Sequence, residues 1–515
     1  MSGRKNPGKA RAKSIIYCLL AAFLFLGFEL VWLQLVRGET LAARARDQRM
    51  EILSKTPVRG TIYDRNMQVL AGTFYEPVTV ALHGVELHED AVAKETADSA
   101  IALIRQPVRY DPQGLAAHAI GYLDSEGITG VSGIEKALDN FLRSGNVGLV
   151  TSFVDARRMP YEGLGIRWIL DAAPQADVVL TIDRRIQEIV EKVMDEEIPK
   201  GAVVVMDPET GEILALASRP SFSPNNIGEA VIRPHAPMIN RAITSYPAGS
   251  IMKIAVAACA LENKLVSLAD RFYDPGFINV GSTTFRCYLH ENNGHGRISF
   301  LDAMAYSCNP VFIETAQRIG KDALVRLCEN LGFGATTGVS LPFEHPGQLP
   351  ASYTMSPQDL ANLAIGQGDV MVTPVQVGVL LSTIANGGEV VSPKLVLDIK
   401  SRNGKEITAL KPEKPERVLS EDTCRQLTFM LEAVTRWGTG KAAWLDGPGS
   451  CGKTGTAETG RLDSDGNPIC HAWFAGFTPL NDPRFVIVVF SEEAGSGGEV
   501  AAPVFKKIAA GLLLQ

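Results

Sequence analysis

The 515-residue sequence has little cysteine, no excess of positive charge and only one long apolar run. Eight cysteines are too few for a disulfide-stapled scaffold, and no two of them form a C-x-x-C pair. Lysine and arginine number 50 against 57 acidic residues, so the net charge of −7 gives no electrostatic reason to expect nucleic-acid binding. The lack of a second long apolar run excludes a protein with several membrane spans. The length predicts about two to four folding units.

The single apolar run, residues 15–35, predicts a membrane anchor. Its 21 residues would reach about 31 Å as a helix, which is enough to cross the hydrocarbon core. The residues before it carry basic side chains and no acidic one: Arg4, Lys5, Lys9, Arg11 and Lys13. Because clustered positive charge stays cytoplasmic, we expect a cytoplasmic tail at 1–13, the anchor at 14–36 and an extracytoplasmic body. A cleaved signal peptide is the alternative, disfavoured because its apolar region runs only about 7–15 residues.

The body of the chain is predicted to change character at residue 201. Residues 37–200 mix strand-like pieces with short helices and contain no catalytic motif. From there on, the segments 201–206 and 212–217 are apolar and flank a turn-rich linker, which predicts a β-hairpin. We therefore expect one domain of mixed structure at 37–200 and a second domain at 201–515.

The second domain is predicted to contain one sheet that is split in the sequence. Residues 240–440 are predicted to be mainly helical with loops, and Ser420 is placed to cap one of the helices. Three later strands and a last amphipathic helix are predicted at 451–458, 471–477, 485–491 and 504–512. Two strands before the helices and three after them indicate a five-stranded antiparallel sheet covered by helices, an α/β fold of the α+β type.

Ser250 and Lys253 lie one helical turn apart on a segment that is predicted to be buried. Every residue from 251 to 261 except Lys253 is apolar, and a helix that is hydrophobic all round lies in a core. Burial disfavours the ammonium form, so Lys253 is predicted to act as a base on the Ser250 hydroxyl. The alternative is that Ser250 only caps the helix while Lys253 reaches the surface.

A second motif, Ser307-x-Asn309, is weak when it is taken alone. The same pattern recurs at residues 223–225 and 401–403, where proline or polar turn sequence explains it. We expect Ser307 and Asn309 to lie in a loop.

The third motif, Lys453-Thr-Gly-Thr456, contains the only K-T-G in the chain. On a strand, Gly455 would let a ligand backbone approach, and Lys453 with Thr454 and Thr456 would bind a carboxylate. Residues 447–454 also satisfy the phosphate-loop pattern G-x-x-x-x-G-K-[ST]. That alternative is disfavoured because a phosphate loop opens a helix, whereas the residues that follow here are rich in turn formers.

Two other patterns are predicted to be structural. His290 and His295 are one residue too far apart for the H-E-x-x-H zinc motif, so no metal is expected there. Gly366-Gln-Gly368 lacks the third glycine and the helix of a dinucleotide fingerprint. We expect neither a metal nor a cofactor.

Taken in order, the three motifs Ser250-x-x-Lys253, Ser307-x-Asn309 and Lys453-Thr-Gly455 resemble the signatures of the penicillin-binding transpeptidases. Further runs agree with the same family, at residues 59–65, 130–135, 180–183, 366–374 and 471–476. The first two of these resemble the N-terminal pedestal of the class B, monofunctional enzymes. The resemblance implies a penicillin-binding/serine β-lactamase-like transpeptidase domain at 201–515, an elongated pedestal of the dimerisation type at 37–200 and one transmembrane helix.

The family implies a D,D-transpeptidase that cross-links peptidoglycan in the bacterial cell wall. Ser250 would attack the carbonyl between the two terminal D-alanines of a stem peptide, and Lys253 would be its base. Ser307 would relay a proton to the leaving amine, and Asn309 would bind the substrate amide. β-Lactams would acylate Ser250 because they mimic the D-alanyl-D-alanine end.

The family also implies the roles of the third motif. The backbone N–H groups of Ser250 and Thr456 would form the oxyanion hole. Lys453 would take part in catalysis and, with Thr454, Gly455 and Thr456, would hold the terminal carboxylate of the substrate.

Several alternatives remain open within and beyond this family. A D-alanyl-D-alanine carboxypeptidase, a β-lactam sensor and a non-catalytic penicillin-binding scaffold would carry the same motifs. The resemblance also implies a polytopic, glycan-polymerising glycosyltransferase as partner, bound through the anchor and the pedestal. Glu29, in the outer half of the anchor, is expected either to reach the membrane surface or to contact another membrane helix.

Overall fold

The computed structural model describes residues 7–82, 93–96, 99–154, 166–169, 176–401 and 415–514. The chain forms two compact units, the first made of residues 1–56, 77–106 and 147–171, the second of residues 57–76, 107–146 and 172–515. The first six residues of the predicted cytoplasmic tail lie outside the described residues. Residues 172–200 belong to the same compact unit as residues 201–515, and the domain boundary at residue 201 stays a prediction.

The helices and strands are numbered in chain order. The helices are α1 Pro7–Val31, α2 Gly38–Arg49, α3 Ala117–Ile120, α4 Gly133–Ala137, α5 Asp139–Leu142, α6 Arg184–Glu197, α7 Ile227–Ile232, α8 Met252–Glu262, α9 Phe300–Ala305, α10 Asn309–Ile319, α11 Lys321–Asn330, α12 Pro357–Ile365, α13 Pro374–Ala385, α14 Glu421–Arg436 and α15 Ala502–Leu513. The strands are β1 Met50–Arg59, β2 Ile62–Tyr63, β3 Val69–Leu82, β4 Ala93–Thr96, β5 Ser99–Tyr110, β6 Arg143–Phe153, β7 Ile166–Ile169, β8 Ala176–Leu180, β9 Gly201–Met206, β10 Ile213–Arg219, β11 Tyr246–Pro247, β12 Arg271–Asp274, β13 Phe277–Val280, β14 Thr283–Arg286, β15 Gly296–Ser299, β16 Met371–Val372, β17 Glu389–Val390, β18 Val396–Ser401, β19 Glu416–Arg417, β20 Cys451–Leu462, β21 Pro468–Thr478 and β22 Phe485–Ser491.

The first unit begins with a helix that is long and apolar enough to cross a membrane. The apolar stretch runs from Arg11 to Val36, through α1 and a π-helical turn at Trp32–Val36, and none of its most apolar window is buried in the protein. Within the described residues it is the only helix of this kind. The prediction of one apolar helix at 14–36 is confirmed. Two strand pairs of this unit, β4 with β5 and β6 with β7, are antiparallel.

A five-stranded antiparallel sheet lies at the centre of the second unit, in the order β10-β9-β22-β21-β20. The hairpin of β9 and β10 confirms the one predicted from the apolar runs on either side of the turn. The three remaining strands come from the end of the chain, so the predicted split sheet is confirmed. The strand with the K-T-G motif, β20, forms one edge of the sheet.

Alternate residues of each strand point to opposite faces of this sheet, and helices cover both faces. On one side, Val203 and Val205 of β9 lie in a buried cluster with side chains of α6 and α15. On the other side, Val204 lies in the main core with α8, α13 and α14. As predicted, Ser420 caps α14, where its side chain accepts a hydrogen bond from the Thr423 N–H.

A buried ion network joins segments of the second unit that precede residue 201. The carboxylate of Glu135, which is fully buried, accepts hydrogen bonds from the Nε atoms of Arg59 (2.9 Å) and Arg109. The Nη1 atom of Arg59 also lies 2.8 Å from Asp139 Oδ1. Since each charge faces an opposite one, this network satisfies groups that would be costly to bury alone.

Candidate active site

Ser250 lies in a tight turn that is held in place by a glycine contact. The turn is 3₁₀-helical, spans Gly249–Ile251 and leads directly into α8. The N–H of Gly249 donates to the Gly366 carbonyl at 2.8 Å. Gly366 has a φ of +71°, and a Cβ atom on it would lie only 1.9 Å from the Gly249 oxygen. Only glycine therefore lets the end of α12 approach the Ser250 turn this closely.

A tryptophan fixes the same turn from the sheet. The indole Nε1 of Trp473, a fully buried side chain on β21, donates to the Pro247 carbonyl at 3.1 Å. The hydroxyl of Ser250 itself makes no hydrogen bond to any residue that the structure describes, and the side chain is partly exposed. The candidate nucleophile, Ser250, therefore lies on a turn that these contacts fix, and its hydroxyl oxygen is free of hydrogen bonds to the described residues.

Lys253 lies one turn further along, and its side chain is fully buried. Its Nζ donates to three oxygens: the Ser307 carbonyl at 2.7 Å, the Ser307 hydroxyl at 3.1 Å and Asn309 Oδ1 at 2.6 Å. Burial lowers the pKa of Lys253 to about 8. The prediction that this lysine lies within the core is confirmed, and the alternative that it reaches the surface is wrong.

The second motif forms the turn between α9 and α10. Ser307 has a φ of +57°, a left-handed conformation that costs about 1–2 kcal/mol for a residue with a side chain. Cys308 precedes the first residue of α10, Asn309, whose Nδ2 donates to the Arg286 carbonyl at 2.9 Å. The turn presents both the carbonyl and the hydroxyl of Ser307 to Lys253. The predicted loop is confirmed for Ser307 and Cys308, whereas Asn309 begins a helix.

Lys453 approaches the same hydroxyl from the sheet. It lies on β20, is fully buried, and its Nζ donates to Ser307 Oγ at 2.9 Å and to the Thr454 carbonyl at 2.9 Å. Burial, and then repulsion from the charge of Lys253, hold the pKa of Lys453 well below its usual value. Two buried amines therefore share one hydroxyl oxygen.

The edge strand β20 runs close beside the Ser250 turn. A Cβ atom on Gly455 would lie 2.9 Å from Trp473 Cβ and 3.1 Å from Ile251 Cγ1, so glycine permits the close packing. On the opposite side of the strand, Thr456 is exposed, whereas Thr454 is buried with its Oγ1 at 2.7 Å from Thr439 Oγ1. The prediction that K-T-G lies on a strand is confirmed.

Hydrogen bonds join four of the residues singled out in the sequence: Lys253, Ser307, Asn309 and Lys453. The sequence does not indicate Thr439, because a single threonine in the segment before β20 belongs to no recognisable motif. In nucleophilic acyl transfer, an amine takes the proton of the attacking hydroxyl. The site offers the groups for this reaction: the free hydroxyl of Ser250, and two amines of lowered pKa, Lys253 and Lys453, that share the hydroxyl of Ser307.

Known proteins are similar to this chain in sequence over most of its length. Residues 201–510 match the family model of the penicillin-binding protein transpeptidase domain. Stage V sporulation protein D of Bacillus subtilis is 30% identical over 96% of this chain and 84% of its own length. The peptidoglycan D,D-transpeptidase MrdA of Acinetobacter baumannii is 27% identical over 95% of this chain and 85% of its own length.

Solved structures are similar to this chain over at least 90% of its length. Penicillin-binding protein 3 of Mycobacterium tuberculosis, complexed with aztreonam, has a TM-score of 0.70 and 28% identity, covering 90% of this chain and 97% of that one. A structure that describes the coordination of polymerisation and cross-linking by a peptidoglycan synthase complex has a TM-score of 0.70 and 26% identity, covering 98% of each chain. The chain belongs to the penicillin-binding protein transpeptidase family, as a monofunctional, class B member.

Proposed function

We propose that this chain acts through an acyl-enzyme on Ser250, with Lys253 as the base. As a member of its family it is a serine-type peptidoglycan D,D-transpeptidase that forms cross-links in the cell wall. In the first half of the reaction, the Ser250 oxygen bonds to the carbonyl carbon between the two terminal D-alanines. The peptide C–N bond breaks, and D-alanine leaves with a proton on its nitrogen. In the second half, an amine of another stem peptide takes the acyl group, and Ser250 regains its proton.

The observation that carries this proposal is the complete burial of an amine one helical turn after the serine. A lysine in water is almost always charged at neutral pH and has no lone pair to accept a proton. Burial lowers the pKa of Lys253 to about 8, so about a tenth of the molecules hold it neutral at pH 7, far more than for a lysine in water. The neutral amine then takes the proton from Ser250 Oγ as the oxygen attacks.

Ser307 is proposed to carry the proton onward. Its Oγ lies within hydrogen-bond distance of both amines, at 3.1 Å from Lys253 Nζ and 2.9 Å from Lys453 Nζ. When Lys253 has received the proton, Ser307 can accept it and pass its own proton to the leaving nitrogen. The hydrogen bond between Lys453 Nζ and Ser307 Oγ would hold the Ser307 oxygen in position through this exchange.

Substrate binding is proposed to involve β20 and the Ser250 turn together. A Cβ atom on Gly249 would lie 2.8 Å from the Thr456 carbonyl oxygen, so the turn and the strand run side by side. The N–H groups of Ser250 and Thr456 would stabilise the oxyanion. The exposed hydroxyl of Thr456 and the buried one of Thr454, with Gly455 and Lys453, would hold the terminal carboxylate, and Asn309 the substrate amide.

The anchor is proposed to place the catalytic unit outside the cell membrane, with the N-terminus in the cytoplasm. Basic residues in the segment before the apolar helix support this orientation. A glycan-polymerising glycosyltransferase is the proposed partner, because this chain is similar to one chain of a peptidoglycan synthase complex described as coordinating polymerisation and cross-linking. Co-purification of such a polymerase with wild type, but not with Glu29→Leu, would indicate a contact through the anchor. Equal recovery with both would place the contact elsewhere.

Labelling with a fluorescent penicillin tests the nucleophile. The full-length protein in detergent should acquire one covalent label, and mass spectrometry should locate the adduct on the peptide that contains Ser250. Ser250→Ala should lose the label, whereas Ser223→Ala, at an exposed serine of the chance S-x-N match, should keep it. An adduct on another residue, or an undiminished label in Ser250→Ala, would refute the assignment.

Product analysis separates cross-linking from hydrolysis. With stem pentapeptides and an acceptor amine, a transpeptidase forms a cross-linked dimer as it releases D-alanine. A carboxypeptidase would release D-alanine at the same rate without the acceptor and form no dimer, and a scaffold or sensor would release none.

A further inference from the structure

We propose that Thr439 is a positioning residue of the acyl-transfer site, whose hydroxyl leaves the Thr454 hydroxyl free to donate to the terminal carboxylate of the substrate. The two hydroxyl oxygens lie 2.7 Å apart, which is the usual distance of an O–H···O hydrogen bond. Thr439 belongs to none of the three motifs and lies in the segment between α14 and β20. This role rests on the proposed function, in which Thr454 helps to hold that carboxylate.

Thr439 contacts both of the segments that bring the two buried lysines together. Its N–H donates at 2.9 Å to the carbonyl of Ala305, the last residue of α9, which lies two positions before Ser307. Its hydroxyl contacts Thr454 on β20. The Thr439 side chain is partly exposed, whereas Thr454 is buried. Thr439 therefore ties the segment that leads into the Ser307 turn to the edge strand of the sheet.

Two glycines hold the backbone of Thr439 in a narrow space. A Cβ atom on Gly438 would lie 2.1 Å from the Ala305 carbonyl oxygen. A Cβ atom on Gly498, which comes from the turn before α15, would lie 2.6 Å from the Thr439 carbonyl oxygen. Backbones that approach this closely leave little room for movement. The hydroxyl of Thr439 is therefore presented to β20 from a fixed position.

The available hydrogen-bond partners determine which way the two hydroxyl protons point. A threonine hydroxyl has one proton to donate and two lone pairs that accept. Among the described residues, Thr439 Oγ1 has no hydrogen-bond partner other than Thr454. Thr454 Oγ1 can therefore accept the Thr439 proton and keep its own proton for an incoming carboxylate. Because a hydrogen bond to a carboxylate is stronger than one between two neutral hydroxyls, a bound substrate favours this arrangement.

The same pair of hydroxyls lies beside Lys453. Lys453 Nζ lies 3.5 Å from Thr454 Oγ1, and it donates at 2.9 Å both to the Thr454 carbonyl and to Ser307 Oγ. Thr439 thus ends a chain of polar groups that begins at the hydroxyl shared by the two amines. Thr439 makes no hydrogen bond to the proposed nucleophile or base. Loss of its hydroxyl should therefore weaken recognition of the carboxylate and leave the acylation machinery in place.

Two ligands that differ only at the carboxylate test this role: benzylpenicillin and its methyl ester. The second-order rate of Ser250 acylation is measured for each by mass spectrometry, on the full-length protein in detergent. The ratio of the acid rate to the ester rate reports recognition of the carboxylate. Thr439→Val has the same shape without the hydroxyl, and we expect it to lower this ratio by about 3- to 10-fold, the effect of losing one hydrogen bond.

Two further variants control for the substitution itself. Thr439→Ser keeps the hydroxyl and should retain the wild-type ratio. Thr428→Val removes a hydroxyl that donates to the Cys424 carbonyl within α14, and it should leave both rates unchanged. If thermal unfolding shows that Thr439→Val is not folded, Thr439→Ala gives the same comparison, since it removes the hydroxyl and adds no atom.

The results distinguish this role from the proposed function. A Thr439→Val variant with the wild-type ratio, whether or not both rates fall, would overturn the positioning role while Ser250 remains the nucleophile. A Thr439→Ser variant that behaves like Thr439→Val would also overturn it, because the hydroxyl would not be the cause. Equal rates for the acid and the ester in the wild type would refute carboxylate recognition, and the role of Thr439 with it. Absence of any acylation in the wild type would refute the acyl-enzyme itself.

Discussion

The amines of Lys253 and Lys453 donate hydrogen bonds to the same atom, Ser307 Oγ, at 3.1 and 2.9 Å. Both side chains are fully buried, and their charges repel each other, so the protein disfavours the state in which both are protonated. The shared hydroxyl gives each amine a partner in either protonation state, because a hydroxyl both accepts and donates. This relationship makes the protonation of Lys253 the property to test first.

Replacing the proposed base should remove most of the reactivity while leaving the fold. Lys253→Met keeps a long unbranched side chain but has no amine, and general-base catalysis contributes about 10²–10⁴-fold. We expect the second-order rate of acylation by a fluorescent penicillin to fall by a factor in that range. Lys506→Met, at an exposed lysine of α15, is the matched control and should react as the wild type does. A near-normal rate in Lys253→Met would exclude this lysine as the base.

The acylation rate should rise with pH through about 8, the pKa to which burial lowers Lys253. The base is active only when it is neutral, so one pH unit below the pKa about a tenth of the molecules are competent. We expect roughly tenfold faster acylation per pH unit in the acidic range and a plateau above the pKa. Stopped-flow labelling from acidic to mildly alkaline pH measures the profile. A rate independent of pH across this range would contradict a titrating lysine base.

The contact between Gly366 and the Ser250 turn should be sensitive to a single methyl group. In Gly366→Ala the new Cβ would overlap the Gly249 oxygen, at 1.9 Å, and the turn would have to move. Gly332→Ala is a close control, since Gly332 also has a positive φ, +86°, but no atom within 4 Å of the added methyl. Both variants carry a strain of about 1–2 kcal/mol, yet only Gly366→Ala should lose penicillin labelling. Equal labelling of the two would show that the contact does not position Ser250.

The buried carboxylate of Glu135 should be far more important to stability than an exposed one. Glu135→Gln leaves Arg109 buried without its counter-charge and Arg59 with Asp139 alone, which costs about 3–5 kcal/mol. Glu188→Gln breaks an exposed pair with Arg184 in α6, worth about 0.3–0.5 kcal/mol. Urea unfolding followed by tryptophan fluorescence compares the two. A similar, small loss of unfolding free energy in both variants would mean that the network does not stabilise this part of the unit.

The chemistry of the site could be predicted from local sequence where a single element carries it. The wholly apolar surroundings of Lys253 were enough to predict its burial, because one buried helix decides the environment of every side chain on it. The strand that carries K-T-G could also be predicted locally, because the residues after it are rich in turn formers and show no helical periodicity. The split sheet could be predicted from the positions of its apolar runs alone.

Contacts between distant segments could not be predicted in this way. Nothing near Gly366 in the sequence indicates that it meets Gly249, and nothing near Thr439 indicates a bond to Thr454. The side chains of Asp274 and Cys308 meet only because the intervening segment folds back on itself, and periodicity within one element carries no information about such closure.

Strand β9 pairs on one side with its immediate successor, β10, and on the other with β22, which comes much later in the sequence. During synthesis, the β22-facing edge of β9 has no native partner until Phe485–Ser491 has been made. A product truncated before that point would expose an open apolar strand edge, prone to aggregation. The sheet that carries the K-T-G motif can therefore be completed only after the chain has been synthesised through β22.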